Sequence, residues 1–281
     1  MTLEPMDPNF RIRPMTRPEL DLVMDWAAAE GWNPGRRDAD CFWACDPHGF
    51  FLGVLDRKPV ASIAAVALDE SFGFLSFYYV KPEHRGRGLG LQIWQAGMDY
   101  LGERNVGLDA VPAQEENYRR SGFQTAYHNL YYWARGGGPA LPEAVPLSGV
   151  PFDDLAAYDA RFFPSPRPNF LRCWVDQPQG AALGVLSGGR LRGYGVLRPC
   201  RRGFKLAPLM ADDEETAMVL FQALIAAAPG APVFLNIPEI NPRGLALARK
   251  LDLNHVFTTA RMYNREQPRV PLEGLYAHDI F

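Results

Sequence analysis

The amino-acid sequence predicts an α/β protein in which a mixed sheet with helices on its faces is built twice in succession. Three observations predict it. Apolar runs of strand length alternate with runs whose apolar residues recur at helical spacing. A Gly- and Pro-dense stretch, Ala134 to Pro151, separates two apolar-rich halves. The order of elements in the second half repeats that of the first.

The first half opens with a short strand, "FRIRPM". A helix follows from Pro18 to Ala29, with Leu20, Met24 and Ala27 or Ala28 on its apolar face. "EGWNPG", Glu30 to Gly35, reads as a loop, and "DADCFWACD" as a short helix capped by Asp38 or Asp40. Three strands come next, at 49–55, 60–68 and 73–80. The turns between them are short and polar, so neighbours run antiparallel. "KPEHRGRGLG" then opens a helix with Leu89, Ile93, Gly97 and Leu101 along one side. The strand at 106–111 is reached through that helix, so it lies parallel to the strand before it, by a right-handed crossover. A short helix ends at Gly122, a C′ glycine, and "TAYHNLYYWA" closes the half as a strand.

In the second half, "FDDLAAYDARFF" and "NFLRCWVD" read as helices. "AALGVLS", "LRGYGVLRP" and "FKLAPLM" read as a strand meander. "DEETAMVLFQALIAAA" is the crossover helix, "APVFLNIP" the next strand, "RGLALARKLDL" a short helix and "VFTTARMYN" a last strand. Overlaying the two ends sets Tyr118 against Ala248. The expected division is a domain at 1–138, a linker at 139–150 and a second domain at 151–281, in keeping with a length of 281 residues.

Composition narrows the function classes. At 47% hydrophobic and 22% charged residues the chain has the make-up of a globular protein with a sizeable core. A net charge of −3 and no basic stripe argue against nucleic acid as a partner. No apolar run approaches ~18 residues and the N-terminus lacks a signal core, so no membrane partner and a cytoplasmic location are expected. Cys41, Cys45, Cys173 and Cys200 have no zinc spacing, so they read as reduced thiols, and no metal is expected. A homodimer is compatible with this reading.

The most chemically specific stretch is Lys81 to Gly90. A strand that ends in a glycine-rich turn opening a helix is an anion site, because the first helical N–H groups lack partners and point outward. Gly86, Gly88 and Gly90 let backbone approach a phosphate, and Arg85 and Arg87 add charge. The spacing is that of neither a dinucleotide fingerprint nor a P-loop.

"VKPEHRGRGLG" carries Arg-x-x-Gly-x-Gly at Arg85, Gly88 and Gly90, and resembles the acetyl-CoA loop of the GCN5-related N-acetyltransferase superfamily. The element order of residues 10–133 agrees. The resemblance implies that the backbone at Tyr79, Val80, Gly86, Arg87, Gly88 and Leu89 binds the co-substrate acetyl-CoA. Its pantetheine would run between the strands at 74–80 and 106–111. "NYRRSGF" places Tyr118 four residues before Gly122-Phe123, where the family carries the acid that protonates the departing thiolate, with Asn117 beside the cofactor. Many relatives have an Asn seven residues before that Tyr, and here the position is Val111.

The implied reaction moves an acetyl group to a primary amine of a small molecule or peptide by direct attack on the thioester. Glu30 is the candidate base, and Trp32 and Asp109 are candidate substrate contacts. In the second half "ADDEE" stands where the loop should lie, so one active site, in the first half, is expected. The basic cluster "CRRGFK", Cys200 to Lys205, reads as a solvated hairpin. A non-catalytic acyl-CoA sensor is the alternative; it would need neither Tyr118 nor an open acceptor cleft.

Overall fold

A computed structural model describes residues 8–278. The first half contains β1 (Phe10–Pro14), α1 (Arg17–Ala29), α2 (Asp38–Cys45), β2 (Phe50–Leu55), β3 (Lys58–Ala67), β4 (Phe72–Val80), α3 (Leu89–Leu101), β5 (Asn105–Ala110), α4 (Glu115–Arg120) and β6 (Gln124–Arg135). The second contains β7 (Ala144–Pro146), α5 (Phe152–Asp159), α6 (Pro168–Val175), β8 (Ala181–Ser187), β9 (Arg190–Pro199), β10 (Phe204–Ala211), α7 (Glu214–Ala226), β11 (Pro232–Pro238), α8 (Pro242–Lys250), β12 (Asn254–Tyr263) and β13 (Leu275–Ala277). Every helix and strand expected from periodicity is present. Two short strands were not foreseen: β7, inside the stretch read as a linker, and β13.

All strands join one sheet in the order β1-β2-β3-β4-β5-β12-β6-β11-β10-β9-β8-β7, with β13 set against β10. This order is symmetric about the β12–β6 pair, which supports the duplication read from the sequence. Each half gives its last long strand to the other. β12 enters between β5 and β6, and β6 lies between β12 and β11. The exchange carries Ala260 and Met262 of β12 into the core under α3. It carries Tyr132 and Ala134 of β6 to the core under α7 and α8.

On the opposite face a third core is shared by both halves. Leu20, Met24 and Phe42 from α1 and α2 pack with Leu155, Phe170 and Trp174 from α5 and α6. Phe42 stacks on Phe170 with ring centroids 6.0 Å apart. Cys41 on α2 is disulfide-bonded to Cys173 on α6 in the same seam. This corrects the expectation of four reduced thiols; Cys45 and Cys200 alone are free among the described residues. The pair escaped notice because its members lie 132 residues apart and only the packing of α2 on α6 brings them together.

Asp38 is not the cap of α2 either. It lies buried, accepts from the Gly35 N–H at 2.7 Å, and is gripped by Arg198 Nη1 at 2.6 and 2.8 Å. A Cβ on Gly35 would fall on both Asp38 and Arg198, so the loop can close only on glycine here.

Helix α1 begins in a capping box. Glu19 accepts from the Thr16 N–H at 2.9 Å, from the Thr16 hydroxyl at 3.0 Å and from Arg13 Nη1 at 2.8 Å. The Arg13 hydrogen bond foremost, with the Thr16 donors, holds the Glu19 carboxyl down at about 2. A carboxyl depressed in the folded state adds stability above its unfolded pKa and loses it as pH falls toward the folded one. Glu19→Gln is therefore expected to cost about 1 kcal/mol at neutral pH, discounted for the half-exposed Arg13. It should also flatten the acid limb of stability between about pH 4.5 and about pH 2, read by urea unfolding across that range.

Candidate active site

β4 and β5 pair in parallel from Phe72↔Asn105 to Leu75↔Leu108 and then part. The divergence has a local cause. β4 bulges against β3 between Ser76 and Tyr79, with Phe77 at φ +47°. The Ser62 hydroxyl donates to the Phe77 carbonyl at 2.8 Å and pins the bulge. Beyond it the Lys81 N–H is taken by the Val60 carbonyl of β3 at 2.9 Å. Alternation along the strand then turns the Val80 N–H to the other edge, toward the gap that β5 has left.

The glycine turn closes the mouth of this fork. Gly86 and Gly88 have φ +75° and +71°, a region costly for any residue with a Cβ. Gly88 is the N-cap of α3, and no side chain caps the helix there, so its first N–H groups face outward beside the fork. Gly90 is needed for a different reason: a Cβ there would meet the Tyr78 hydroxyl at 2.7 Å. Arg85 folds back over the strand end. Its Nε donates to the Val80 carbonyl at 2.8 Å, its Nη2 pairs with Glu30 at 2.9 Å, and its guanidinium lies 5.6 Å from the Tyr79 ring centre. Arg85 therefore ties the loop to the strand and to the end of α1. Arg87 is exposed and reaches His84 Nδ1 at 3.2 Å.

Tyr118 comes to the same place from α4. Its ring lies among Trp94 (5.4 Å), Phe123 (6.4 Å) and Tyr78 (6.5 Å). Burial, with a smaller contribution from Tyr78, pushes its phenol well above the ordinary value. Its hydroxyl has no hydrogen-bond partner among the described residues. Gly122, at φ +89°, ends α4 and lets the Phe123 N–H return to the Tyr118 carbonyl at 3.1 Å. The corresponding bond in the second half runs from the Leu253 N–H to the Ala248 carbonyl at 2.9 Å, so Ala248 does occupy the matching position. Asn117 is exposed and donates to Gln114 at 2.8 Å.

The two carboxylates singled out from the sequence are both engaged. Glu30 is held by Arg85. Asp109 receives Arg261 Nε at 2.7 Å, Arg261 Nη2 at 3.0 Å and Asn129 Nδ2 at 3.0 Å. Asp109 is thus the anchor of an ion pair between the halves. Trp32 is partly exposed, 6.5 Å from Phe77, and its carbonyl accepts from Lys205 Nζ at 3.1 Å.

That last contact also corrects the reading of "CRRGFK" as a solvated hairpin. Asn33 exchanges two hydrogen bonds with the Arg202 backbone, at 2.8 and 3.0 Å, and Arg201 pairs with Asp25 at 2.5 Å. The loop from Glu30 to Gly35 is therefore strung between the glycine turn on one side and the second half on the other.

The second half has a fork too, and it is filled. β10 and β11 pair at Phe204↔Val233 and Lys205↔Phe234 only. Into the gap comes β13, paired with β10 at Leu209 and Met210, while the His278 N–H donates to the Asn236 carbonyl of β11 at 2.8 Å. The start of α7 is likewise taken, since the Asp213 carboxylate accepts from the Thr216 N–H at 2.8 Å. A pyrophosphate there would face Asp212, Asp213, Glu214 and Glu215.

One open fork with an uncapped helix at its mouth, in a doubled fold, defines the class: an acyltransferase of tandem build. The sequence agrees. Residues 18–123 match the profile of the "Acetyltransferase (GNAT) family", and residues 155–277 that of the "Acetyltransferase (GNAT) domain". A holothin acyltransferase of Pseudoalteromonas sp. (strain SANK 73390) is 29% identical over 260 residues, spanning 92% of this chain and 88% of that protein. A putative acetyltransferase from Pyrococcus horikoshii superposes with a TM-score of 0.83 at 18% identity, covering 98% and 96% of the two chains. A tandem GNAT protein from the clavulanic acid biosynthesis pathway superposes at 0.63 and 12% identity, covering 92% and 99%. The chain belongs to the GCN5-related N-acetyltransferase superfamily, as a tandem member.

Proposed function

We propose that the first half transfers an acetyl group from acetyl-CoA to the primary amine of a small molecule or peptide, by direct attack of the amine on the thioester. The observation that carries this reading is the open β4–β5 fork, with the Gly86–Gly88 turn at its mouth and Tyr118 at its side. The turn and the free N–H groups of α3 hold the pyrophosphate. The Val80 N–H donates to the thioester oxygen, where negative charge grows as the nitrogen adds. The N–C bond forms, the C–S bond breaks, and the departing thiolate meets the Tyr118 hydroxyl.

An ammonium has a pKa near ~10.4 and must lose a proton before it attacks. With Glu30 held by Arg85 and Asp109 by Arg261, that proton leaves through water rather than to either carboxylate. An acceptor related to holothin is one candidate, on the strength of the relative's name.

The test is thiol release from acetyl-CoA and longer acyl-CoAs against a panel of amines, amino acids, polyamines, aminoglycosides and holothin. Gly88→Val runs alongside. A side chain forced to φ +71° costs roughly 1–2 kcal/mol locally and stands in the open space before the turn where the pyrophosphate would lie, so acyl-CoA affinity should fall at least about tenfold while the fold persists. Binding should saturate at one acyl-CoA per chain. Tight acyl-CoA binding without release from any pairing would favour a sensor instead. Unaltered affinity in Gly88→Val would remove the glycine turn from the binding site.

A further inference from the structure

On the face of the sheet that carries α1 and α2, a row of polar side chains crosses the central strands. It starts at Asp109 beside the fork and continues through Asn129, whose amide donates to Asp109 at 3.0 Å, and Thr259, its register partner on β12. Asn129 Oδ1 and the Thr259 hydroxyl are buried without partners. Two residues further along β6 stands Tyr131, on the wall of a cavity of about 20 Å³ shared with Arg198, Lys205, Ala207, Asn236 and His278. That volume admits a water-sized polar group.

Among the described residues the charges around this cavity do not balance. Arg198 and Lys205 are direct cross-strand partners on β9 and β10. Asp38 neutralises Arg198 through Nη1, but Arg198 Nε is buried without a partner in a residue 1% exposed. Lys205 Nζ donates to the Trp32 carbonyl and, among the described residues, makes no ion pair of its own; Asp38, which Arg198 already engages, is the carboxylate that acts on it. Burial and the neighbouring Arg198 charge both press the Lys205 ammonium below its ordinary pKa. The other titratable groups nearby among the described residues are His278, the Cys200 thiol, raised by burial, and the Tyr131 phenol, also raised by burial. None of the three supplies a negative charge at neutral pH. A site with one surplus cation, an unused guanidinium N–H and room for a small polar group has the chemistry of an oxyanion receptor.

We propose that Lys205 and Arg198 form an anion subsite of the acceptor pocket, which binds a carboxylate on the amine to be acylated. The proposal rests on the transferase reading, because the Trp32 loop, bonded to Lys205 through its carbonyl and packed 6.5 Å from Phe77 at the β4 bulge, is what connects the subsite to the fork. The Lys205 ammonium leaves the Trp32 carbonyl for the carboxylate, and Arg198 Nε gains its missing acceptor. The loop carrying Trp32 and Glu30 then responds to acceptor binding, and through Arg85 it reaches the glycine turn. The second half thereby contributes the group that selects the acceptor, although it holds no acyl-CoA fork of its own.

Two measurements on the full chain test it. In the first, thermal unfolding of wild type and Lys205→Met is followed in sodium acetate against sodium chloride at equal ionic strength. Methionine keeps the length of the lysine stem without its charge, and far-UV circular dichroism checks that the variant keeps the fold. Acetate is expected to raise the wild-type midpoint above that in chloride and to leave Lys205→Met unmoved. In the second, amino acids are compared with their carboxamides as acceptors. The carboxylate form should be preferred about tenfold or more in kcat/KM by wild type, as a charge-assisted hydrogen bond confers. In Lys205→Met that preference should vanish through KM for the amine, with KM for acyl-CoA unchanged.

An acetate effect equal in both proteins, or no larger than that of chloride, overturns the subsite. An acetate effect specific to wild type, with carboxamides turned over as well as carboxylates, overturns its assignment to the acceptor. Acetate-specific stabilisation with no amine acylated from any acyl-CoA overturns the transferase reading, and the acceptor assignment with it.

Discussion

Tyr118→Phe is expected to lower kcat roughly 10²-fold, the low end for a general acid, while acyl-CoA affinity holds. Phenylalanine keeps the ring that packs against Trp94, Tyr78 and Phe123, so the substitution removes only the hydroxyl. The modest size has a physical origin. A thiol has a pKa of ~8.5 against ~10 for a phenol, so full proton transfer from Tyr118 is uphill by about 2 kcal/mol in water. Burial raises the phenol further and makes a complete transfer costlier still. On the proposed reaction Tyr118 would act chiefly as a hydrogen-bond donor to the developing thiolate, and the proton that finally neutralises it would arrive from outside. The same burial keeps the hydroxyl protonated through any practical assay pH. Profiles of kcat against pH for wild type and Tyr118→Phe should run parallel, separated by a constant factor. An equal kcat in the two proteins would leave Tyr118 a packing residue. A loss that closes at alkaline pH would mean the phenol ionises there after all.

The parts of this protein that were legible in its sequence are those fixed by neighbours along the chain. The glycine turn was readable because Gly86 and Gly88 sit at positive φ, a demand that a few residues state by themselves. The helix over Leu89–Leu101 and the strands from Phe50 to Val80 followed from period alone. Tyr118 and its counterpart Ala248 followed from their spacing to the ends of α4 and α8. What escaped was decided by partners far away in sequence. The strands "TAYHNLYYWA" and "VFTTARMYN" show an alternation that suits any neighbour, so nothing local says that β12 leaves its own half. β13, three residues long, is shorter than any periodicity can mark, yet it fills the second fork. Asp38 and Arg198 lie 160 residues apart, and each alone reads as an ordinary surface charge. Glu30 and Asp109 were singled out from the sequence as carboxylates facing the fork. Their engagement by Arg85 and Arg261 depends on a loop that folds back and on the exchanged strand. Sequence therefore pointed to the glycine turn and its helix, whereas the surroundings of Trp32 and Glu30 emerged only with the contacts between halves.

Arg261→Ala is expected to destabilise the whole chain by about 3–5 kcal/mol, because it strands the Asp109 carboxylate on the sheet without its partner. The pair is nearly dry, with side-chain exposures of 3% for Arg261 and 17% for Asp109. Arg261 also lies over the Phe74 ring at 4.8 Å, so β12 is tied by one side chain to β5 and β4 together. Asp109 belongs to the first half and Arg261 to the strand that the second half gives away, so the loss is not confined to one domain. Withdrawing β12 would leave β5 with β4 alone and β6 with β11 alone, and would expose the core that holds Ala260 and Met262. The two halves should therefore unfold together. Far-UV circular dichroism and tryptophan fluorescence should give a single shared urea midpoint in wild type, and one lower shared midpoint in Arg261→Ala. The double variant Asp109→Leu with Arg261→Met replaces both charges by apolar groups and should recover most of the loss, since a buried pair contributes less than its rupture costs. Two separated transitions would mean that the halves are held by α2 and α6 rather than by the exchanged strands. A cost of under ~0.5 kcal/mol for Arg261→Ala would mean that water replaces the pair, and the seam between the halves would then have to be looser than its geometry indicates.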